Sequence, residues 1–134
     1  MENQNMSEEQ VLQQLLAADS IPERTVRIQR IGIPITLRGL TGKEVYALRE
    51  RATERRGKRG QESERIDDEQ FNVSLIATST VTPNWGDPQL LAKYKASSAE
   101  EVIKRILLAG ELGSLGDAVL DISGFNTELE DVKN

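Results

Sequence analysis

The chain contains neither cysteine nor histidine in its 134 residues. Without cysteine there is no disulfide framework and no thiolate metal site. Without histidine the commonest general base, the usual partner of a Ser or Cys nucleophile and the best zinc ligand are all missing. No apolar run approaches the roughly 18 residues of a membrane span. The first six residues, Met1 to Met6, are polar and acidic and do not form a secretory signal. A cytosolic site of action is the resulting expectation. Aromatics are scarce at 4%, but hydrophobic residues reach 37% and the net charge is only -5. Disorder requires low hydrophobicity together with high net charge, so a folded body with mobile ends is expected. The length suits one domain with a real core.

What is present is mainly helix punctuation. Ser7-Glu8-Glu9-Gln10 has the capping-box form, in which each side chain satisfies the other's backbone donor. Val11, Leu12, Leu15 and Leu16 follow at helical spacing and predict a short amphipathic helix over 7–18. From Arg24 the period changes: Val26 and Ile28, then Ile33, Ile35 and Leu37, alternate with polar residues around Gly32-Ile33-Pro34. This pattern predicts a β-hairpin over 24–31 and 34–39. A lone hairpin is not stable in water, so helices should cover its Val26/Ile28/Ile35/Leu37 side.

Thr41–Glu44 is a second capping box and predicts a helix over 41–56. Arg55 to Arg65 then reads as a charged, mobile loop. Asp67–Gln70 is a third box, opening a helix with Phe71, Val73, Leu75 and Ile76, expected to be the core's central element and to end at Pro83. Asp87-Pro88 restarts a helix with Asp as cap and Pro at its first position. Ser98–Glu101 is the fourth box, and Gly110 is expected to close its helix as a left-handed terminator. A last helix carries Leu112, Leu115, Val119 and Ile122 and ends at Gly124. The whole reads as an α+β fold, mainly helical, with five or six short helices and one small hairpin near 24–39. Its parts are an N-terminal segment 1–22 with a short helix, a globular domain 23–125 and an acidic flexible tail 126–134.

Candidate chemistry is thin. Gly39-Leu40-Thr41-Gly42-Lys43-Glu44 has the wrong glycine spacing for a phosphate loop and carries Glu44 in place of the metal-binding hydroxyl; a helix cap accounts for it. Gly110, Gly113 and Gly116 do not match the dinucleotide fingerprint and serve close helix packing or flexibility. Asp67-Asp68-Glu69 fits the helix dipole better than a calcium loop. No catalytic, metal or cofactor site is assigned. The basic cluster Arg49, Arg51, Arg55, Arg56, Lys58 and Arg59 gives residues 49–60 a local charge of +4. A solvated loop is the plain reading and a contact with an acidic protein surface comes next. The alternative function is a nucleic-acid-associated structural or regulatory protein using this segment, although no aromatic stands there for base stacking. Trp85, between Pro83 and Pro88, reads either as a plug closing the core or as an exposed anchor for a partner.

The order of the remaining pieces resembles a known family. Thr80–Pro83 (Thr-Val-x-Pro), Asp87–Tyr94 (Asp-Pro-x-Leu-Leu-x-x-Tyr), Ser98–Ile103, Ala109–Glu111, Ser123–Phe125 and the ending Glu130–Asn134 follow the pattern of the XkdN-like phage tail assembly chaperones. Leu40–Val45 also looks like that family's Leu-Thr-x-Lys-Glu helix start. The resemblance covers about residues 24–134 and leaves out the first 23 residues and the basic loop. It implies a non-catalytic protein in the host cytoplasm that binds the long helical tape measure protein and keeps it soluble. It also implies that tail-tube subunits gather with its help, without membrane or cofactor, and self-association is a further expectation. It fixes no residue-level site. A chaperone for an amphipathic helix needs open apolar surface, and the candidates are Trp85, Leu90, Leu91, Tyr94, Leu112, Leu115, Val119, Ile122 and Phe125, with helix 7–18 beside them. The competing reading is that most of these faces pack on one another.

Overall fold

Alternating apolar residues on either side of Gly32 form the first hairpin. Strand β1 (Glu23–Ile28) runs antiparallel to β2 (Ile33–Arg38), with Val26 opposite Ile35 and Ile28 opposite Ile33. Gly32 turns the chain at φ +80, a conformation that costs glycine little. The computed structural model describes residues 6–57 and 63–132. Within these, six helices and five short strands make a mixed, mainly helical α+β domain.

Each expected cap residue holds its helix start, but only two of the four expected capping boxes are reciprocal. The Gln70 side chain bonds Ser74 and Glu100 instead of returning to Asp67 N, and the Glu101 carboxylate accepts from Ser97 N rather than Ser98 N. Helix α1 (Glu8–Ala17) starts at Ser7, whose Oγ accepts from Gln10 N while Gln10 Oε1 accepts from Ser7 N. Helix α2 (Gly42–Arg51) starts at Thr41 with the same reciprocal bonds to Glu44. Asp67 caps α3 (Asp68–Ser79), Asp87 caps α4 (Pro88–Tyr94) and Ser98 caps α5 (Ala99–Ile106). The last helix, α6 (Ala109–Ile122), is followed by Gly124 at φ +92.

Four expectations need correcting. Helix α2 stops at Arg51 rather than 56, and the charged stretch after it is partly strand. Strand β3 (Thr53–Arg56) pairs antiparallel with β4 (Ser63–Ile66). Alternating Arg and Glu across this hairpin supply opposite-charge cross-strand pairs, Arg55 with Glu64 among them, and Asp67 N bonds Ala52 O to close its base. Secondly, α3 ends at Ser79, well before Pro83. Strand β5 (Thr80–Thr82) intervenes and pairs with β2, giving a three-stranded sheet ordered β1-β2-β5. Thirdly, the hairpin turn begins after Ile28 rather than after Ile31. Finally, Gly110 terminates nothing: α5 ends through extended Leu107, and Gly110 lies in the first turn of α6. The Glu111 carboxylate there accepts from Leu108 N and starts the new helix without a glycine stop.

Helix α3 is the centre of the core, as its apolar face implies. Its Val73, Leu75 and Ile76 are buried with Ile35 and Leu37 of β2, Val102 and Ile103 of α5, and Leu115 and Val119 of α6. Helices α3 and α6 meet at Gly116, where an added Cβ would stand 1.7 Å from Asn72 Oδ1. Asn72 Nδ2 in turn donates to Leu112 O at 2.9 Å. A side chain at this position would push the Asn72 amide out of place and off Leu112 O.

Both chain ends leave the body at one corner. Gly39 N donates to Pro22 O at 2.9 Å, and Leu40 N donates to Ser123 Oγ, also at 2.9 Å. A Cβ on Gly39 would lie 2.7 Å from Ile122 O. Arg24 and Asp121 add an ion pair at 3.6 Å. The end of the N-terminal segment and the start of the C-terminal tail therefore lie side by side against Gly39-Leu40.

Candidate partner-binding surface

The body covers most of the apolar residues that helical spacing marks as partner contacts. Trp85 is buried, with its indole Nε1 donating to Thr80 Oγ1 at 3.2 Å. It is the plug, and in this conformation it cannot serve as an exposed anchor. Leu115 and Val119 are also buried, because α6 turns that face onto α3. They belong to the core and are removed from any contact surface. Leu90, Leu91, Tyr94, Leu112 and Ile122 are half-buried and pack against the same core. Of the nine, Phe125 alone is largely exposed. The structure does not gather these residues into one open face.

The open apolar surface lies elsewhere. No residue of α1 is buried, and Leu15 and Leu16 are each 69% exposed, with Leu12 at 51% and Val11 at 43%. Burying a leucine side chain is worth about 1.5–3 kcal/mol, so this is unspent driving force on a helix that is marginal alone. Across the shared corner the tail exposes Phe125, Leu129 and Val132. Leu129 and Val132 were not singled out from the sequence, although their i, i+4, i+7 spacing from Phe125 is the signal that finds them. Tyr46, Val81 and Leu108 are exposed as scattered single residues on the body, which is ordinary for a protein surface.

Two members of the basic cluster, Arg51 and Arg55, are paired with carboxylates of this chain. Lys58 and Arg59 lie outside the described residues. Arg49 and Arg51 occupy the last turn of α2, and Arg55 and Arg56 lie on β3. The Arg55 guanidinium stands between Glu50 and Glu64, 3.2 Å from each, and Arg51 reaches Glu100 at 3.4 Å. These carboxylates offset the positive field that a phosphate backbone requires.

Polar groups elsewhere act as fasteners. Arg30, in the β1–β2 turn, grips both oxygens of Glu111 at 2.9 and 2.8 Å and bonds Ile106 O at 2.7 Å. The Arg30 guanidinium, helped by Leu108 N–H, holds the Glu111 carboxyl below its ordinary range. Arg38 does the same for Glu44, whose pKa falls to about 2 with help from the Thr41 backbone N–H. Glu100 accepts from the buried Ser74 hydroxyl at 3.0 Å and from Gln70, tying α5 to α3. Among the described residues, no group of three or more acidic side chains could hold a metal ion, and no helix is long and apolar enough to cross a membrane.

The profile of the phage XkdN-like tail assembly chaperone proteins matches residues 12–134. The chain belongs to that family. The match begins inside α1, upstream of residue 24, and takes in the basic segment as well. Among solved structures, the crystal structure of the protein yqbn is similar, with a TM-score of 0.59 and 21% identity over 80% of this chain and 88% of that one. At that identity the likeness bears on the fold alone. No curated protein matches the chain.

Proposed function

We propose that this chain is a non-catalytic tail assembly chaperone that binds the tape measure protein and keeps it soluble in the host cytoplasm while the tail is built. The observation that carries this reading is α1, a capped helix whose whole leucine face is open to solvent. A long helical client presents apolar stripes that aggregate when uncovered, and an amphipathic helix is a natural cover for them. Family membership supports the assembly role. In this reading residues 23–125 are a rigid carrier, and segments 1–22 and 126–134 are the parts that meet partners. Tail-tube subunits are a second partner class, recruited once the client is held.

Co-expression tests the proposal. With the chain present, a tape measure protein should move from the insoluble to the soluble fraction and co-purify with it. A client that stays aggregated at unchanged yield sinks the reading.

A further inference from the structure

The chain's acidity is not spread evenly. Residues 6–23 carry Glu8, Glu9, Asp19 and Glu23 with no Lys or Arg, and residues 125–132 carry Glu128, Glu130 and Asp131, again with no cation. These seven carboxylates exceed the net charge of the entire chain, -5, and leave everything else at +2. The two segments that hold the acid excess are also the two in which several exposed apolar side chains follow one another closely in sequence, Val11 to Leu16 and Phe125 to Val132. They also leave the body side by side, at the corner where Gly39 N meets Pro22 O and Leu40 N meets Ser123 Oγ.

We infer that the two termini form one composite docking site for an amphipathic helix whose apolar stripe is flanked by lysine and arginine. The inference rests on the reading of the chain as a carrier of an assembly partner and specifies where and what it holds. Val11, Leu12, Leu15 and Leu16 of α1 make one wall. Phe125, Leu129 and Val132 make the other when the tail coils against the guest, since their spacing places them on one face of a helix. Folding of a segment on its partner costs ordering entropy and is driven by the apolar area it covers. The carboxylates select the guest's charge. They also disfavour the simplest competitor, a second copy placing its own acidic termini on these walls, because like charges across an interface are costly.

Binding of two labelled peptides to the full chain is the test. One is an 18-residue helix with a leucine stripe flanked by lysines; the other carries glutamates in place of the lysines. The lysine peptide should bind at least tenfold tighter than its twin and weaken as salt is raised. The triple variants Leu12→Gln/Leu15→Gln/Leu16→Gln and Phe125→Ser/Leu129→Ser/Val132→Ser should each lose at least tenfold, with unfolding midpoints unchanged because these residues are exposed. Tyr46→Ser, on the body, should bind as wild type. Equal binding of the twin peptides, or triple variants that bind as wild type, overturns the site. So does a dimer that depends on α1 and excludes the peptide. If the wild-type chain and both triple variants solubilise a tape measure protein equally, the site fails and the chaperone reading stands. If the lysine peptide binds as expected but no client is rescued, the chaperone reading fails and the site stands.

Discussion

Helices α1 and α3 start from the same grammar and end in opposite states. Each has a side-chain cap, acidic residues in its first turn and an apolar face. Yet α3 buries Val73, Leu75 and Ile76 at the centre of the molecule, while α1 buries nothing. Periodicity reports that a face exists, and only the arrangement of neighbours decides whether it is covered. The body has α5, α6 and the sheet to place around α3. By the time the chain has passed Pro22, α1 has been left outside that ring.

Truncation should break the comparison open most widely. Ile76→Ala removes packed core atoms and should cost about 2–5 kcal/mol. Leu15→Ala removes only solvent-exposed atoms and should stay within about 0.5 kcal/mol. Urea unfolding of the two variants checks both at once. Comparable losses would mean that α1 is part of the folding unit, and the open face would have to be abandoned.

Glycine offers the next sharpest contrast, now within one helix. At Gly116 a methyl group would collide with Asn72 Oδ1, so Gly116→Ala should overpack the α3–α6 contact at a cost of about 1–3 kcal/mol. At Gly113 an added Cβ meets nothing within 4 Å. Gly113→Ala should therefore stabilise α6 by roughly 0.5–1 kcal/mol, the ordinary gain of alanine over glycine in a helix. Thermal midpoints that move in opposite directions are the expected result.

These contrasts also show what could be read from residues alone. Capping residues and proline placement marked the starts of α1 to α5, because a cap is a local bond between residues two or three apart. The start of α6, where Leu108 offers no side-chain cap, was hidden behind Gly110. The core status of α3 was legible because its apolar face is broad. The β3–β4 hairpin was not legible. Its Thr53–Arg56 and Ser63–Ile66 strands carry no apolar alternation and are held by Arg–Glu pairs that a charge run conceals. Strand β5 was hidden for a different reason: three residues, Thr80 to Thr82, are too few to show a period, and their pairing with β2 is non-local. Among the candidate contacts, Leu115 and Val119 misled because a one-dimensional stripe looks the same buried or bare. Leu129 and Val132 were not legible because they stand among Glu128, Glu130 and Asp131, whose charge masks a sparse apolar spacing that no cap or turn residue frames.

Trp85 makes the separation of body and termini visible by spectroscopy. It is the only tryptophan, it is buried, and it is hydrogen-bonded to Thr80. Its emission should be blue-shifted in the free protein and should stay put when a Trp-free partner binds at the termini. A marked shift on binding would place the contact on the α4 side of the body, where Leu90, Leu91 and Tyr94 lie.

The smallest expected effect separates the two capping boxes themselves. The α1 box closes with Gln10, which does not titrate, while the α2 box closes with Glu44, which also pairs with Arg38 at 2.8 Å. Because the folded state holds the Glu44 carboxyl down at about 2 from an ordinary 4.5, the unfolded chain takes up its proton first as pH falls. The stabilisation is therefore complete above about pH 4.5 and drains away between 4.5 and 2. Glu44→Gln keeps a side chain able to accept from Thr41 N but removes the charge. Its unfolding midpoint should be slightly lower than wild type at neutral pH, and the two profiles should converge across that acid window. Profiles that stay parallel down to pH 2 would show that Arg38–Glu44 contributes nothing beyond the neutral cap that Ser7 and Gln10 already give α1.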